Sequence, residues 1–228
     1  MENWQEISHL SAEKQIAFGR NELFKCTSLI TSPGIKRFTR NFLARVPEQF
    51  WEVPSSSSGK YHPPEDQGPG GLVRHVIKGL EVVVSEARLA QLTPREQNQA
   101  LSAFTLHDTF KNGVPWGENT DYTHGIIAAE QILASPCRIN LQDREAIAGA
   151  VRYHMSRWSY LVDPWKKESF TRRELQGSLD ELARALYSPS RIERVVQIAD
   201  YWASRPNISF MPGVTVADFR HDNPPLTK

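Results

Sequence analysis

Residues 71–90 read GLVRHVIKGLEVVVSEARLA, and this stretch decides the fold class. Its apolar residues recur at helical spacing, which predicts an amphipathic helix. One stripe of that helix is formed by Leu72, Val76, Leu80 and Val83. His75 lies on the same stripe, although burying an unpaired ionisable group is costly. The stretch therefore predicts a core helix with an inward-facing histidine that needs a partner to offset the cost of burial.

The same periodicity predicts helices on both sides of this segment, over about 11–25, 35–45, 93–106, 121–135 and 142–155. Two helix starts have the capping-box pattern, Thr93 with Glu96 and Ser190 with Glu193, and Asp121 is expected to cap the helix that follows it. Strand signals are confined to ISFM and VTV near the C-terminus. We therefore predict an all-α fold, a helical bundle.

The chain of 228 residues divides by composition into a core region and two flanks. Residues 1–49 are expected to form helices that pack on the core, and residues 211–228 an irregular tail. The stretch 52–70 is dense in Pro, Ser and Gly, so we expect a long loop there, of the kind that is often functional or disordered. Residues 50–210 remain as the main domain.

Charge and composition exclude several classes of protein. The net charge of +1 lacks the basic excess typical of proteins that wrap long duplex DNA. No apolar run is long enough for a membrane span, and the N-terminus has no secretory pattern. Cys26 and Cys137 are too few for a disulfide framework or a thiolate metal site. We expect a cytoplasmic protein without membrane partners.

Polar residues fall on apolar faces in five successive helices. They are His75, the doublet His107-Asp108, His124, His154 and Asp200. Taken singly, each has an ordinary explanation as a hydrogen-bonded core histidine or a helix cap. Together they predict a shared metal centre, because imidazole nitrogen and carboxylate oxygen are good ligands for first-row divalent ions.

The order of these residues resembles the HD-domain superfamily, which is named for its His-Asp doublet. The segment FWEVPSSSSGKYHPPEDQGPGGLVRHV from residue 50 is similar to the lead into the first ligand in HD modules of bacterial 3′–5′ exoribonucleases. QIADYWASR is similar to the helix that bears the last aspartate. The resemblance covers about residues 50–205 and implies an HD-domain helical bundle with the metal site between its central helices.

The resemblance also implies a dinuclear centre. His75, His107, Asp108 and Asp200 would hold one ion, while His124 and His154 would hold the other together with a bridging Asp108. Mn²⁺ or Fe²⁺ suits these mixed ligands, and Zn²⁺, Co²⁺ and Ni²⁺ are also compatible. Two such cations activate a bridging water as hydroxide for attack on a phosphoryl group. Asp108 is therefore expected to be catalytic as well as a ligand.

Lys111 is a second catalytic candidate, because its charge could stabilise a phosphoryl transition state. The alternative is a solvated loop lysine. The family pattern is HD-x-G-K, whereas this chain reads HDTFK, with Phe110 in place of the glycine. That departure leaves the position of Lys111 open, although Asn112-Gly113 could supply the turn.

Four further residues are candidates for substrate binding: His62, Arg157, Trp165 and Arg205. His62 is implied by the family likeness and is otherwise an exposed loop histidine. Arg205 could bind phosphate or serve only the surface, and Arg157 is a candidate of the same kind. Trp165 lies in RWSYLVDPWKKESFTRR (157–173), where basic and aromatic residues alternate in the manner of single-strand binders, unless the aromatics simply pack a connecting loop.

Three functions are compatible with this set. The first is a metal-dependent phosphohydrolase or phosphodiesterase acting on a nucleotide or a short single-stranded oligonucleotide. The second is a di-iron oxygenase of the HD fold that cleaves C–C or C–P bonds, since it uses the same ligands. The third is a non-catalytic nucleotide sensor. HD modules often pair, so a homodimer is compatible with each.

Overall fold

The fold is described here from a computed structural model covering residues 9–56, 62–155 and 189–205. These residues form α-helices and two short 3-10 turns, and no strand occurs among them, which confirms the predicted all-α class. The helices are α1 (Ala12–Cys26), α2 (Pro33–Leu43), α3 (Gln49–Glu52), α4 (Gly71–Leu89), α5 (Pro94–Leu106), α6 (His124–Ala134), α7 (Leu141–Arg152) and α8 (Arg191–Ala203). None of them combines the length and apolar composition that a bilayer crossing needs. The weak strand candidates and the tail lie outside the described residues.

Helix α4 is the centre of the bundle, packing against α1, α3, α5 and α8. The stripe predicted from its sequence is fully inside, since Leu72, Val76, Leu80 and Val83 are all buried. It crosses α5 closely at Gly79, where a Cβ atom would lie 2.1 Å from the Phe104 ring. Only glycine permits this approach, one helical turn beyond His75. The crossing thus brings α5 and α8 to the face that carries His75.

The remaining helices enclose this centre. Helices α6 and α7 pack on each other, and α7 packs on α5. At the other end of the chain, α1 packs on α4 and α2 on α5, with Leu23, Ile35, Phe38 and Leu43 buried in the same core. The N-terminal helices therefore share one apolar core with the five helices that carry the polar residues.

Local sequence accounts for most of the helix ends. Both predicted capping boxes are present: Thr93 and Ser190 each accept a hydrogen bond from the backbone N–H of a glutamate three residues on, whose carboxylate returns the bond. Each cap contributes about 1 kcal/mol. The prediction for Asp121 is wrong, because α6 begins at His124 after Thr123, and Asp121 Oδ1 instead accepts from the Thr123 N–H and hydroxyl.

The loop expected over 52–70 is more ordered in its described part than its composition indicates. It contains the end of α3 and a 3-10 turn, Pro64–Asp66, and residues 57–61 lie outside the described ranges. Arg74 of α4 donates to the carbonyls of Glu65 and Pro69 at 2.8 and 2.7 Å, which fixes the turn on the start of α4. The described end of the loop is therefore held against the helix that carries His75.

Candidate metal centre

The six candidate ligands, which come from five helices and their ends, lie close together between those helices. His75 and Asp200 lie within α4 and α8, whereas the other four lie at helix ends, where the backbone turns away from the helix axis. His107 caps the C-terminus of α5, and His124 is the first residue of α6. His154 was expected on a helix over 142–155, but α7 ends at Arg152 and His154 follows it. All four histidines and Asp108 are buried, and the Asp200 side chain is 24% exposed.

Three of the histidines are oriented by the backbone in the same way. The Nδ1 atoms of His107, His124 and His154 lie 2.6, 2.6 and 2.7 Å from the carbonyl oxygen of the residue three positions earlier. A carbonyl oxygen only accepts, so each Nδ1 carries the hydrogen. The Nε2 atom of each ring is left facing the interior, which is the arrangement that a metal-ligating histidine requires.

The first group of donors surrounds Asp200 and one oxygen of Asp108. His75 Nε2 lies 3.1 Å from Asp200 Oδ1, and His107 Nε2 lies 3.5 Å from the same oxygen. His107 Nε2 is also 3.4 Å from Asp108 Oδ2. Donor atoms of His75, His107 and Asp108 lie within 4.8 Å of one another, so a single ion could contact all three.

The second group uses the other oxygen of Asp108. Asp108 Oδ1 lies 3.0 Å from His124 Nε2 and 3.6 Å from His154 Nε2, and the two Nε2 atoms are 3.0 Å apart. Because both rings carry hydrogen on Nδ1, neither neutral ring can donate to the other across this gap. Two facing lone pairs beside a carboxylate are unfavourable, and either a proton or a metal cation among them would relieve the repulsion.

The donor set fits a pair of divalent cations. His107 Nε2 and Asp108 Oδ1 are buried without a hydrogen bond of good geometry, although groups of opposite charge lie 3.0–3.5 Å away, and an unsatisfied buried polar atom costs about 1–3 kcal/mol. Ligation would satisfy both atoms. Asp108 presents one oxygen to each group. These buried groups could hold metal ions, and their nitrogen and oxygen donors suit first-row metals.

Electrostatics within the centre follow from its two carboxylates. Burial alone would raise the pKa of Asp108, but Lys111 and His107 outweigh it and hold that pKa well below its ordinary value. Burial likewise opposes the charge on His107, yet the attraction of Asp108 and Asp200 raises the pKa of His107 to about 10. At His154 burial dominates and lowers the pKa. These groups by themselves therefore favour a proton on His107 Nε2 near neutral pH, whereas burial disfavours one on His154 Nε2.

Lys111 reaches the centre despite the departure from the family pattern. Its Nζ lies 2.6 Å from Asp108 Oδ2, and the side chain is 11% exposed. Phe110 is buried against the edge of Phe42, with ring centroids 6.4 Å apart, so the aromatic side chain leaves the turn toward the core. Gly113, with φ of +85°, closes the turn by donating its N–H to the Phe110 carbonyl. Lys111 is therefore not the solvated loop lysine of the alternative interpretation.

The substrate-binding candidates are placed less uniformly. His62 lies beside the centre, with its ring centroid 5.0 Å from that of His75, and burial foremost lowers its pKa to about 2. Arg205 stacks on the ring of Tyr201 at 4.3 Å, which gives its guanidinium a partner other than the centre. Arg157 and Trp165 lie outside the described residues.

Sequence reasoning missed a buried ion pair next to His62 and His75. Asp66 Oδ2 lies 2.6 Å from Lys78 Nζ, and the two side chains are 2% and 18% exposed. Donor atoms of Asp66, His62 and His75 lie within 4.8 Å of one another. Lys78 follows His75 by three residues and so shares its helix face, which was the available signal. Asp66 lies in a Pro-rich loop, where no sequence pattern indicates a buried carboxylate.

Comparison of the chain with models of protein families, with curated proteins and with solved structures finds no match.

Proposed function

We propose that this chain is a metal-dependent phosphohydrolase or phosphodiesterase of the HD type, acting on a nucleotide or a short single-stranded oligonucleotide. The observation that carries the proposal is the shared Asp108, which presents one oxygen to His107 and the other to His124 and His154. A carboxylate between two histidine groups suits two ions held close together. Such a pair is the usual device for in-line displacement at phosphorus.

The chain's own residues supply the binding and orientation that this chemistry needs. His75, His107 and Asp200 would hold one divalent cation, His124 and His154 the other, and Asp108 both. When bound, two such cations supply Lewis acidity at the phosphoryl group and lower the pKa of water. The backbone carbonyls of Phe104, Asp121 and Val151 keep the Nδ1 hydrogen in place, so that three rings present Nε2 without rearranging.

Lys111 supports phosphoryl chemistry in particular. Its ammonium group pairs with Asp108 Oδ2, the oxygen that also faces His107. The Lys111 ammonium group would be the chain's own positive charge for phosphoryl oxygens on which negative charge develops. His62, neutral beside His75, is the candidate to contact the substrate from the loop.

The substrate class follows from charge and size. The net charge of +1 disfavours long duplex nucleic acid, whose binding depends on many phosphate contacts. The local charge of Lys111 and the cations is sufficient for a single phosphoryl group. Nucleotides and short oligonucleotides are therefore the substrates proposed.

Elemental analysis of anaerobically purified protein, followed by turnover assays, tests the proposal. We expect close to two ions per chain, and anaerobic hydrolysis of nucleotide or phosphodiester substrates. Asp108→Ala should lose both ions and all turnover while its circular dichroism stays helical. Asp143→Ala is the matched control, since it removes a carboxylate that pairs with Arg95 away from the centre.

Three results would contradict the proposal. Protein that binds no metal after incubation with Mn²⁺ would show that the donors do not form a centre. Turnover that persists in metal-stripped Asp108→Ala would separate the activity from the centre. Iron-loaded protein that consumes O₂ on a polyol or phosphonate, without anaerobic hydrolysis, would support the oxygenase instead.

A further inference from the structure

His75 differs from the other three histidines in how its ring is held. His107, His124 and His154 each have Nδ1 fixed by a backbone carbonyl three residues earlier. His75 lies in the middle of α4, and its Nδ1 is buried without a hydrogen-bond partner. Its Nε2 faces Asp200 Oδ1 at 3.1 Å. A ring that offers Nε2 to a metal must carry hydrogen on Nδ1, and that hydrogen needs an acceptor.

The buried carboxylate beside His75 can supply this acceptor. An oxygen of Asp66 and a ring nitrogen of His75 lie within 4.8 Å of each other, a separation that one water molecule spans. Asp66 is itself fixed, because Lys78 Nζ lies 2.6 Å from its Oδ2. The backbone of the turn is also fixed, since the Asp66 carbonyl accepts from the Ser55 N–H and hydroxyl. This leaves the carboxylate little freedom to turn away from His75.

We propose that Asp66, held by Lys78, is the positioning residue for His75: it accepts the Nδ1 hydrogen of His75 and so aims Nε2 at the metal centre. This inference rests on the proposed dinuclear centre. It assigns to a side chain the task that backbone carbonyls perform for the other three rings. Carboxylate–histidine–metal arrangements of this kind fix the tautomer and raise the basicity of the ligand.

Two alternatives for the same cluster are less favourable. A third cation among His62, Asp66 and His75 would lie against the Lys78 ammonium group, which already neutralises the carboxylate. His62 is the other acceptor within reach, because its Nδ1 is also buried and unpartnered. A charged carboxylate is the stronger acceptor of the two. The experiment must therefore distinguish Asp66 from His62 as the acceptor.

The test measures Zn²⁺ affinity by competition with a chromophoric chelator, in a His154→Ala background that is expected to keep one ion per chain. Asp66→Ala should weaken that single site about 10- to 100-fold, the range found for lost outer-shell partners. Asp66→Asn should weaken it less, because an amide oxygen still accepts but carries no charge. Glu65→Ala is the matched control, because it removes a neighbouring carboxylate from the same turn while keeping the backbone carbonyl of residue 65 that accepts from Arg74.

A second measurement reports the hydrogen bond directly. In Zn²⁺-loaded, ¹⁵N-labelled protein, the Nδ1 proton of His75 should resonate far downfield and exchange slowly, with assignment by its loss in His75→Gln. In Asp66→Asn this signal should move upfield or vanish through exchange, while the Nδ1 signals of His107 and His124 stay in place.

Several results would overturn the positioning role. One is Asp66→Ala affinity within twofold of its parent; another is an equal loss in Glu65→Ala, which would show only a disturbed loop. If His62→Gln reproduced the whole effect and Asp66→Asn none of it, His62 would be the acceptor. Unchanged two-ion binding in Asp66→Ala refutes the positioning role alone, whereas wild-type protein that binds no metal refutes it together with the proposed function.

Discussion

Metal binding should release a proton from His107, so the affinity for metal should rise with pH. In the metal-free centre His107 Nε2 lies 3.4 Å from Asp108 Oδ2 and 3.5 Å from Asp200 Oδ1. Although burial opposes a charged ring, these carboxylates raise the pKa of His107 to about 10. A ligand must present a lone pair on Nε2, and at neutral pH that atom carries a proton. The ion therefore competes with a proton for the same atom.

The magnitude follows from one displaced proton for the ion that His107 would hold. Below a pKa near 10, the apparent association constant should increase about tenfold per pH unit, and hence about 100-fold between pH 6 and pH 8. Affinity rises with pH because acid favours the protonated His107, which cannot bind the ion. Burial lowers the pKa of His154, which works against a second displaced proton at that ring.

Isothermal titration in two buffers of different ionisation enthalpy counts the protons released per ion. Chelator competition at pH 6, 7 and 8, corrected for the chelator's own titration, gives the slope. Because a metal-bound water can also lose a proton, His107→Gln is the control, and it should release one proton fewer than wild type. Affinity that does not vary with pH, or equal proton release in His107→Gln, would refute a protonated His107 in the metal-free centre.

Two further outcomes are expected. His154→Ala should keep one ion per chain, because His75, His107 and Asp200 do not depend on it; elemental analysis checks this, and loss of both ions would show that the two groups are not separable. Glu81→Gln should remove a pH-dependent loss of stability. Burial raises the pKa of Glu81 to about 7 from an ordinary 4.5, so the folded state binds a proton that the unfolded state has lost. The resulting stabilisation is complete below about pH 4.5, and up to about 3 kcal/mol of unfolding free energy is lost as the pH rises through 7. Urea unfolding at pH 5 and pH 8 measures this, with Glu86→Gln on the same helix as control, and identical pH dependence in Glu81→Gln and wild type would refute it.

Helix positions were predictable because their signals are local. The apolar stripe of α4 and the capping boxes at Thr93 and Ser190 involve residues within a few positions of one another. The misplaced start of α6 shows where local reasoning failed. Asp121 has the side chain of a cap, but its carboxylate binds Thr123 and its carbonyl orients His124, a use that depends on the turn around Gly113.

The identities of the candidate ligands were also predictable, but the distances between their atoms were not. His75 and Asp200 stand out because a polar group on an apolar helix face is costly unless something satisfies it. The sequence contains no information on the atoms that meet. That Asp108 divides its oxygens between two histidine groups, and that Lys111 reaches one of them, depends on how five helices cross.

By itself, the sequence determined the helical class, most helix boundaries and the six polar side chains that face one another between the helices. The tertiary structure alone decided their distances, the carbonyls that orient three of the rings, and the pairing of Asp66 with Lys78 beside His75. The physical reason is range. Helix periodicity and capping act over a few residues, whereas the centre depends on contacts between segments far apart in the chain, such as α4 with α8, whose approach is set by packing at Gly79.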